Sequence, residues 1–86
     1  MQSKKIHNYT VKFIDNDEGG YIVDVPSFPE ICTEGRTPEE AMKNAREAIS
    51  LCIEYYIEQG RSLPKDVNYK SAREPKFFKL GVPAPA

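Results

Sequence analysis

A glycine pair, a short alternating segment and a proline form the part of the sequence that most restricts the fold. The glycines at 19–20 precede residues 21–25, and Pro26 follows them. Within 21–25, aromatic and β-branched residues recur at every second position, which is typical of a half-buried strand. Glycine supplies the positive φ angles of a tight turn, and proline ends a strand because it has no N–H group. The sequence therefore predicts a strand that begins at a turn and stops at Pro26.

A second alternating segment lies before the glycines, at residues 9–14, and a polar turn at 15–20 joins the two. Its predicted buried face carries Tyr9, Val11 and Phe13. Two apolar segments joined by a glycine-rich turn indicate an antiparallel hairpin. After a proline loop, residues 31–34 are predicted to form a short third strand.

A long helix is predicted next, and its start has a clear capping pattern. Thr37 is placed to act as N-cap, Pro38 occupies the first helical position and Glu40 completes a capping box. Gly60 is expected to end the helix after about 22 residues. A stripe at helical spacing is expected to bury against the sheet. It comprises Met42, Ala45, Ile49, Cys52, Ile53 and Tyr56.

Leu51 and Tyr55 lie away from that stripe on the helical wheel. One contact with a sheet does not cover so wide an apolar arc. Either the C-terminal segment or a second chain is therefore expected to cover these two side chains.

The C-terminal quarter is read as a loop at 61–75, a final strand at 76–82 and a frayed tail at 83–86. Together with a core at about 7–60, these segments make a single domain spanning residues 1–86. The predicted fold class is α+β: a three- to four-stranded, mainly antiparallel sheet packed against one long helix, in the order β-β-β-α-β.

Charge is distributed unevenly along the chain, although the net charge is only −1. Residues 13–35 contain six carboxylates and no lysine or arginine. They are Asp15, Asp17, Glu18, Asp24, Glu30 and Glu34. Nucleic acid is a poor ligand for such a surface, because phosphate contacts need positive charge. A basic partner suits it, and a merely solvated acidic turn is the alternative interpretation.

The sequence offers little chemistry. His7 is the only histidine and is expected to be solvated, and the two cysteines, Cys32 and Cys52, are expected to be small core residues. Too few ligands are present for a structural zinc site. The carboxylates offer no evident convergent set, so we expect no two-metal nuclease centre. We predict no catalytic residue, no metal and no cofactor.

No apolar run approaches the roughly 20 residues of a membrane span, and no signal peptide is evident. We expect a cytoplasmic protein that does not engage a membrane.

Residues 20–26 and 33–41 resemble the N-terminal domain of the HicB antitoxin family. The family pattern reads roughly Gly-Gly-Tyr-x-(Val/Ala)-x-(Val/Phe)-Pro-Asp-(Leu/Phe)-Pro-Gly-Cys-x-Thr-x-Gly-x-Thr-x-Glu-Glu-Ala. The resemblance runs from Tyr9 to about Pro64. This chain departs from the pattern at Glu30, where the family usually has glycine. It also shows no second helical pattern after Gly60, where longer members carry a DNA-binding domain, so direct nucleic acid binding is not expected.

The resemblance implies a reduced RNase H-like fold and a role in neutralising HicA, a small basic RNase. Occlusion of the toxin's basic face is the implied mechanism. Asp15, Asp17, Glu18 and Asp24 are our candidates for steering that partner. Leu51 and Tyr55 are our candidates for contact with a second copy, giving a homodimer or higher oligomer. The alternative is a stand-alone homo-oligomeric scaffold or ligand-binding domain with no toxin.

Overall fold

Four antiparallel strands and one helix make up the part of the chain that the structure, a computed structural model, describes: residues 4–66 and 77–85. The elements are β1 (Lys4–Asp15), β2 (Tyr21–Asp24), β3 (Cys32–Gly35), α1 (Pro38–Glu58) and β4 (Phe77–Pro85). The strand order is β3-β2-β1-β4, with every neighbouring pair antiparallel. The predicted α+β class and its β-β-β-α-β order are confirmed.

The hairpin of β1 and β2 forms where the glycines permit it. Gly19 and Gly20 have φ angles of 102° and 83°, in the region that favours glycine. The turn is closed by a hydrogen bond that the Asn16 N–H donates to the Gly20 carbonyl at 3.1 Å. Phe13 pairs with Val23 in the resulting register, so the apolar residues of both strands point to the same face.

Helix α1 begins with the predicted cap. The Thr37 Oγ1 accepts a hydrogen bond from the Glu40 N–H at 3.1 Å, and Pro38 is the first helical residue. The Glu40 side chain accepts from the N–H of Arg36 at 3.3 Å. These bonds satisfy N–H groups that a helix start otherwise leaves without partners. At the other end, Gly60 has a φ of 66° and terminates the helix, as predicted.

The core lies between α1 and one face of the sheet. Its helical side consists of Ala41, Ala45, Ile49 and Ile53, all buried, with Met42, Cys52 and Tyr56 partly buried beside them. The sheet side includes Tyr9, Val11, Phe13, Val23 and Val25. Burial of each large apolar side chain stabilises the fold by about 1.5–3 kcal/mol. The predicted stripe is therefore confirmed in position, and Ala41, one turn before Ala45, also belongs to it.

Gly35 fixes how closely the helix approaches the sheet. A Cβ atom at this position would lie 2.3 Å from the backbone nitrogen of Ala41. Since no side chain tolerates such a distance, only glycine allows the first turn of α1 to rest on the end of β3.

Strands β1 and β4 are longer than the sequence suggested. β4 pairs with β1 from Phe77 opposite Lys12 to Pro85 opposite Lys4. Residues 83–85 are thus part of a strand, which corrects the prediction of a frayed tail from residue 83. Pro83 and Pro85 are two positions apart, so their nitrogens, which carry no hydrogen, face the same side of the strand. Ala84, between them, pairs with Lys5 of β1.

The same pairing places His7 inside β1, opposite Val82, where its side chain is half-buried. This corrects the expectation that His7 is simply solvated. Of the predicted 61–75 loop and 76–82 strand, residues 67–76 lie outside the described residues, as does the terminal Ala86.

Cys32 is exposed, contrary to its predicted place in the core. It pairs with Asp24 across β2 and β3 and therefore lies on the face of the sheet that α1 does not cover. Cys52 is half-buried against the core.

The segment after the helix closes one edge of β1. The Tyr9 hydroxyl donates to the Pro64 carbonyl at 2.9 Å, and the Ser27 hydroxyl donates to the Lys65 carbonyl at 2.9 Å. The Asp66 carboxylate accepts from the Thr10 N–H. These bonds tie residues 64–66 to β1 and to the loop that follows β2.

Helix α1 lacks the apolar run that a membrane span requires, and the described residues contain no other helix that could cross a bilayer.

Candidate functional site

Three of the four predicted partner-binding carboxylates lie together at the β1–β2 turn. Asp15 ends β1, and Asp17 and Glu18 follow it; all three are exposed. The turn is held by its own polar groups: the Asn16 side chain accepts from the Glu18 N–H at 3.2 Å, and the Asn16 carbonyl accepts from the Gly19 N–H at 2.9 Å. The three carboxylates are therefore presented on a backbone with a defined conformation.

Asp24, the fourth predicted carboxylate, lies at the opposite end of β2. It pairs with Lys12 on β1 and with Cys32 on β3, and it is exposed. At about 3.3 Å per residue, it stands roughly 10 Å along the strand from Tyr21, where the turn ends. The predicted set is thus divided into a turn group and one strand residue.

The fold brings two further carboxylates, those of Glu34 and Glu40, close to the turn group. A polar depression connects the turn with the end of β3 and the start of α1. It is lined by Asn16, Glu18, Gly19, Glu34, Gly35, Arg36 and Glu40. Sequence reasoning did not include Glu34 or Glu40 in the site. The approach of Glu34 to Glu18 depends on strand register, and that of Glu40 depends on how the start of α1 packs against the end of β3. Arg36 offsets part of the negative charge there.

The outer face of the sheet, opposite α1, carries apolar side chains that sequence reasoning did not select. Ile14 pairs with Ile22, which pairs with Glu34. Ile14 is 41% exposed, and Ile22 is half-buried. The neighbouring row runs from Lys12 through Asp24 to Cys32. Apolar and charged groups therefore lie side by side on this face.

Leu51 and Tyr55 are exposed on α1, at 66% and 54%. Strand β4, the described part of the C-terminal segment considered as a cover, pairs with β1 at the edge of the sheet and leaves both side chains exposed. Glu47, Glu54 and Glu58 are exposed on the same helix. The role of Leu51 and Tyr55 as an oligomer contact stays a prediction.

Glu30, which replaces the usual family glycine, has a structural partner. Its carboxylate accepts a hydrogen bond from the Tyr56 hydroxyl at 3.1 Å, and this bond, together with burial, raises the pKa of Tyr56. The guanidinium of Arg61 lies 4.3 Å from the centre of the Tyr56 ring. The proline loop after β2 is thereby fastened to the C-terminal end of the helix.

Within residues 4–66 and 77–85, no three histidine, cysteine, aspartate or glutamate side chains lie close enough to hold a metal ion. What this part of the chain presents instead is a fixed, largely acidic surface with apolar groups inside it. Such a surface is suited to contact with another protein.

A family model described as a HicB-like antitoxin of a bacterial toxin–antitoxin system matches residues 9–82. The chain belongs to this HicB-like antitoxin family. The match covers all five structural elements in whole or in part.

Individual relatives include a protein named as a HicB antitoxin. The HicB-like chain is 38% identical over 58 residues to a UPF0150 protein of Thermoplasma acidophilum, covering 67% of this chain and 84% of that one. It is 39% identical over 56 residues to antitoxin HicB 1 of Photorhabdus laumondii, covering 65% of this chain. It spans only 36% of that antitoxin's length.

A solved structure shows the same fold. The N-terminal domain of the Burkholderia pseudomallei antitoxin HicB superimposes with a TM-score of 0.68 and 25% sequence identity. The similarity covers 87% of this chain and 94% of that domain. The HicB-like chain thus corresponds in fold to the N-terminal part of a longer antitoxin.

Proposed function

We propose that this HicB-like chain is an antitoxin that neutralises a small HicA-like RNase by covering its RNA-binding surface. Membership of the antitoxin family supports the role. The observation that carries the mechanism is the acidic surface: residues 13–35 contain no lysine or arginine, and the carboxylates of the β1–β2 turn are exposed. Neutralisation takes place in the cytoplasm, where the toxin would meet messenger RNA.

The physical basis is competition between a folded acidic surface and RNA for the same basic face. Opposite charges accelerate the encounter between two proteins and orient them before contact. This attraction extends over about 8 Å at physiological salt, so the exposed turn carboxylates Asp15, Asp17 and Glu18 act first. Asp24, on the strand, acts once the surfaces are close. The chain itself performs no catalysis in this mechanism and binds no nucleic acid.

Co-expression with the adjacent gene tests this proposal. A short reading frame beside the gene is expected to encode a basic protein with one catalytic histidine. Expression of that protein alone should stop growth, and co-expression of the HicB-like chain should restore it. As a control, the RNase with its histidine replaced by alanine should be harmless alone and still co-purify with the HicB-like chain. Failure of the wild-type chain both to restore growth and to co-purify would overturn the proposal.

A stand-alone homo-oligomeric scaffold is the second candidate, favoured by the exposure of Leu51 and Tyr55. The two roles predict different results. The scaffold assembles with itself and has no effect on the neighbouring gene product, whereas the antitoxin forms a complex with that product.

A further inference from the structure

Helix α1 covers one face of the sheet; on the opposite face Asp66 lies against Thr10, and Ile14 is exposed. Helix α1 packs against the face that carries Val11, Phe13 and Val23. Since side chains alternate along a strand, Ile14 and Ile22 point to the opposite face. They are direct cross-strand partners, so their side chains form one continuous apolar patch, one residue pair from the turn of the hairpin.

Exposed carboxylates border this isoleucine pair. Glu34 lies opposite Ile22 on the β3 side, and Asp24 follows two positions later on the same face. Asp17 and Glu18 are exposed in the turn that continues from Ile14 and Ile22. Lys12, opposite Asp24, is half-buried and offsets one of these charges. The border therefore carries a net negative charge.

A shallow depression beside Ile22 extends the patch toward the sheet edge. It is lined by Ile22, Cys32, Thr33 and Glu34. At the free edge next to it, the Asn44 side chain donates to the Glu34 carbonyl at 2.7 Å and so occupies an acceptor that an added strand would need. A partner is therefore expected to contact this face through side chains.

The charges indicate which occupant fits. A second copy of this chain would place its own Asp24 and Glu34 against the same carboxylates, and like charges across an interface are unfavourable. A basic protein surface would pair with them and free the isoleucines to contact an apolar side chain.

We infer that the Ile14–Ile22 pair and its carboxylate border form the docking surface for a basic partner protein. This inference rests on the proposed function and specifies the face through which it acts. The matching partner surface carries lysine or arginine side chains around one exposed apolar residue. In this arrangement the isoleucines govern how long the complex lasts, and the carboxylates govern how fast it forms.

Two matched pairs of variants test the inference against the RNase encoded beside the gene, with its catalytic histidine replaced. Ile14→Thr with Ile22→Thr keeps β-branched residues in the strands and removes the apolar patch. Its control is Ile57→Thr, an exposed apolar position on the helix. Asp24→Asn with Glu34→Gln removes two border charges, and Glu47→Gln with Glu58→Gln removes two from the helix. Circular dichroism establishes that each variant is folded.

The isoleucine double variant should raise the Kd about tenfold or more, mainly through faster dissociation. The border variant should slow association severalfold at low salt, and the difference should vanish at high salt. Both helix controls should bind like the wild type. Wild-type affinity in the two sheet variants would overturn the docking surface while the antitoxin role stands. If the wild type itself does not bind, both proposals fail.

A third result identifies a different occupant. If the isoleucine variant changes the oligomeric state in light scattering and leaves RNase binding unchanged, a second copy occupies this face and the inference is wrong.

Discussion

The carboxylate of Asp66 accepts a hydrogen bond from the backbone N–H of Thr10 at 2.7 Å, beside the point where β2 stops. Because Asp24 pairs with Lys12, the residue that would continue the ladder opposite Thr10 is Pro26. Proline has no N–H group and cannot complete a pair of ladder hydrogen bonds. The Asp66 carboxylate supplies the hydrogen-bond acceptor that a continued β2 would have offered to Thr10. It also accepts a hydrogen bond from the Thr10 hydroxyl at 3.2 Å and pairs with the Lys79 ammonium.

Replacement of Asp66 by alanine should destabilise the fold. The change leaves the buried Thr10 without its partners, and hydrogen bonds to a charged group each contribute about 1.5–3 kcal/mol. Urea denaturation should show a loss of roughly that size in the free energy of unfolding. Asp17→Ala is the control, because Asp17 is exposed in the turn, and it should change stability by less than about 0.5 kcal/mol. Equal effects of the two variants would contradict this account.

Acid should remove the stabilisation that the ionised Asp66 carboxylate provides. Partial burial of Asp66 opposes its ionisation, but the hydrogen bonds from Lys79 and Thr10 outweigh burial and set its pKa below the ordinary 3.8. A carboxyl whose folded-state pKa is depressed stabilises the fold above the unfolded value and ceases to do so as pH falls through the folded value. The stability difference between the wild type and Asp66→Ala should therefore be constant near neutral pH and shrink below about pH 4. A difference that persists unchanged at pH 2 would assign the effect to packing.

Much of the fold was predictable because the relevant signals are local. Strand alternation around the glycines identifies the hairpin, and Thr37, Pro38 and Glu40 identify the start of the helix. The first half of β1 was missed because residues 4–8 lack apolar alternation and are ordered by β4, which is distant in sequence. Asp66 was missed for the same reason, since its partner lies 56 positions away.

The candidate site was predictable only in part. Composition alone identifies the acidic turn, since no basic residue interrupts it. The juxtaposition of Ile14, Ile22 and Glu34 depends on the register of three strands, which single segments do not reveal. The exposure of Cys32 has the same origin: its chemistry suggests a core residue, and its register places it on the uncovered face.

Phe28 should be the most sensitive position in the proline loop. Its side chain is 0% exposed, and its ring meets those of Tyr9 and Tyr56 edge-on, with centroids 4.9 and 5.5 Å away. Phe28→Ala should cost about 3–5 kcal/mol through lost burial and the resulting cavity. The control is Phe78→Ala, because Phe78 is 40% exposed and should lose much less. If Phe28→Ala is unfolded, Phe28→Leu gives a measurable loss by thermal denaturation. Equal losses at positions 28 and 78 would contradict the packing described.

The two cysteines should differ in reactivity. Cys32 is exposed, whereas burial and, secondarily, the Glu30 carboxylate raise the pKa of the Cys52 thiol. Since the thiolate is the reactive form, Cys32 should be alkylated severalfold faster by iodoacetamide near pH 8. Mass spectrometry of Cys32→Ser and Cys52→Ser resolves the two rates, and in urea the rates should converge. Faster labelling of Cys52 in the native protein would show that packing against the core does not shield it.

Self-association through α1 is the remaining prediction. Leu51 and Tyr55 are one helical turn apart and together expose an apolar strip. Light scattering of the pure chain should give at least a dimer. Tyr55→Asp should shift it toward monomer, because it places a charge in an apolar contact beside Glu54. Ile57→Asp is the matched control: Ile57 is 44% exposed, and residues two apart point to nearly opposite sides of a helix. A wild-type monomer, or equal dissociation by both variants, would remove Leu51 and Tyr55 from the interface.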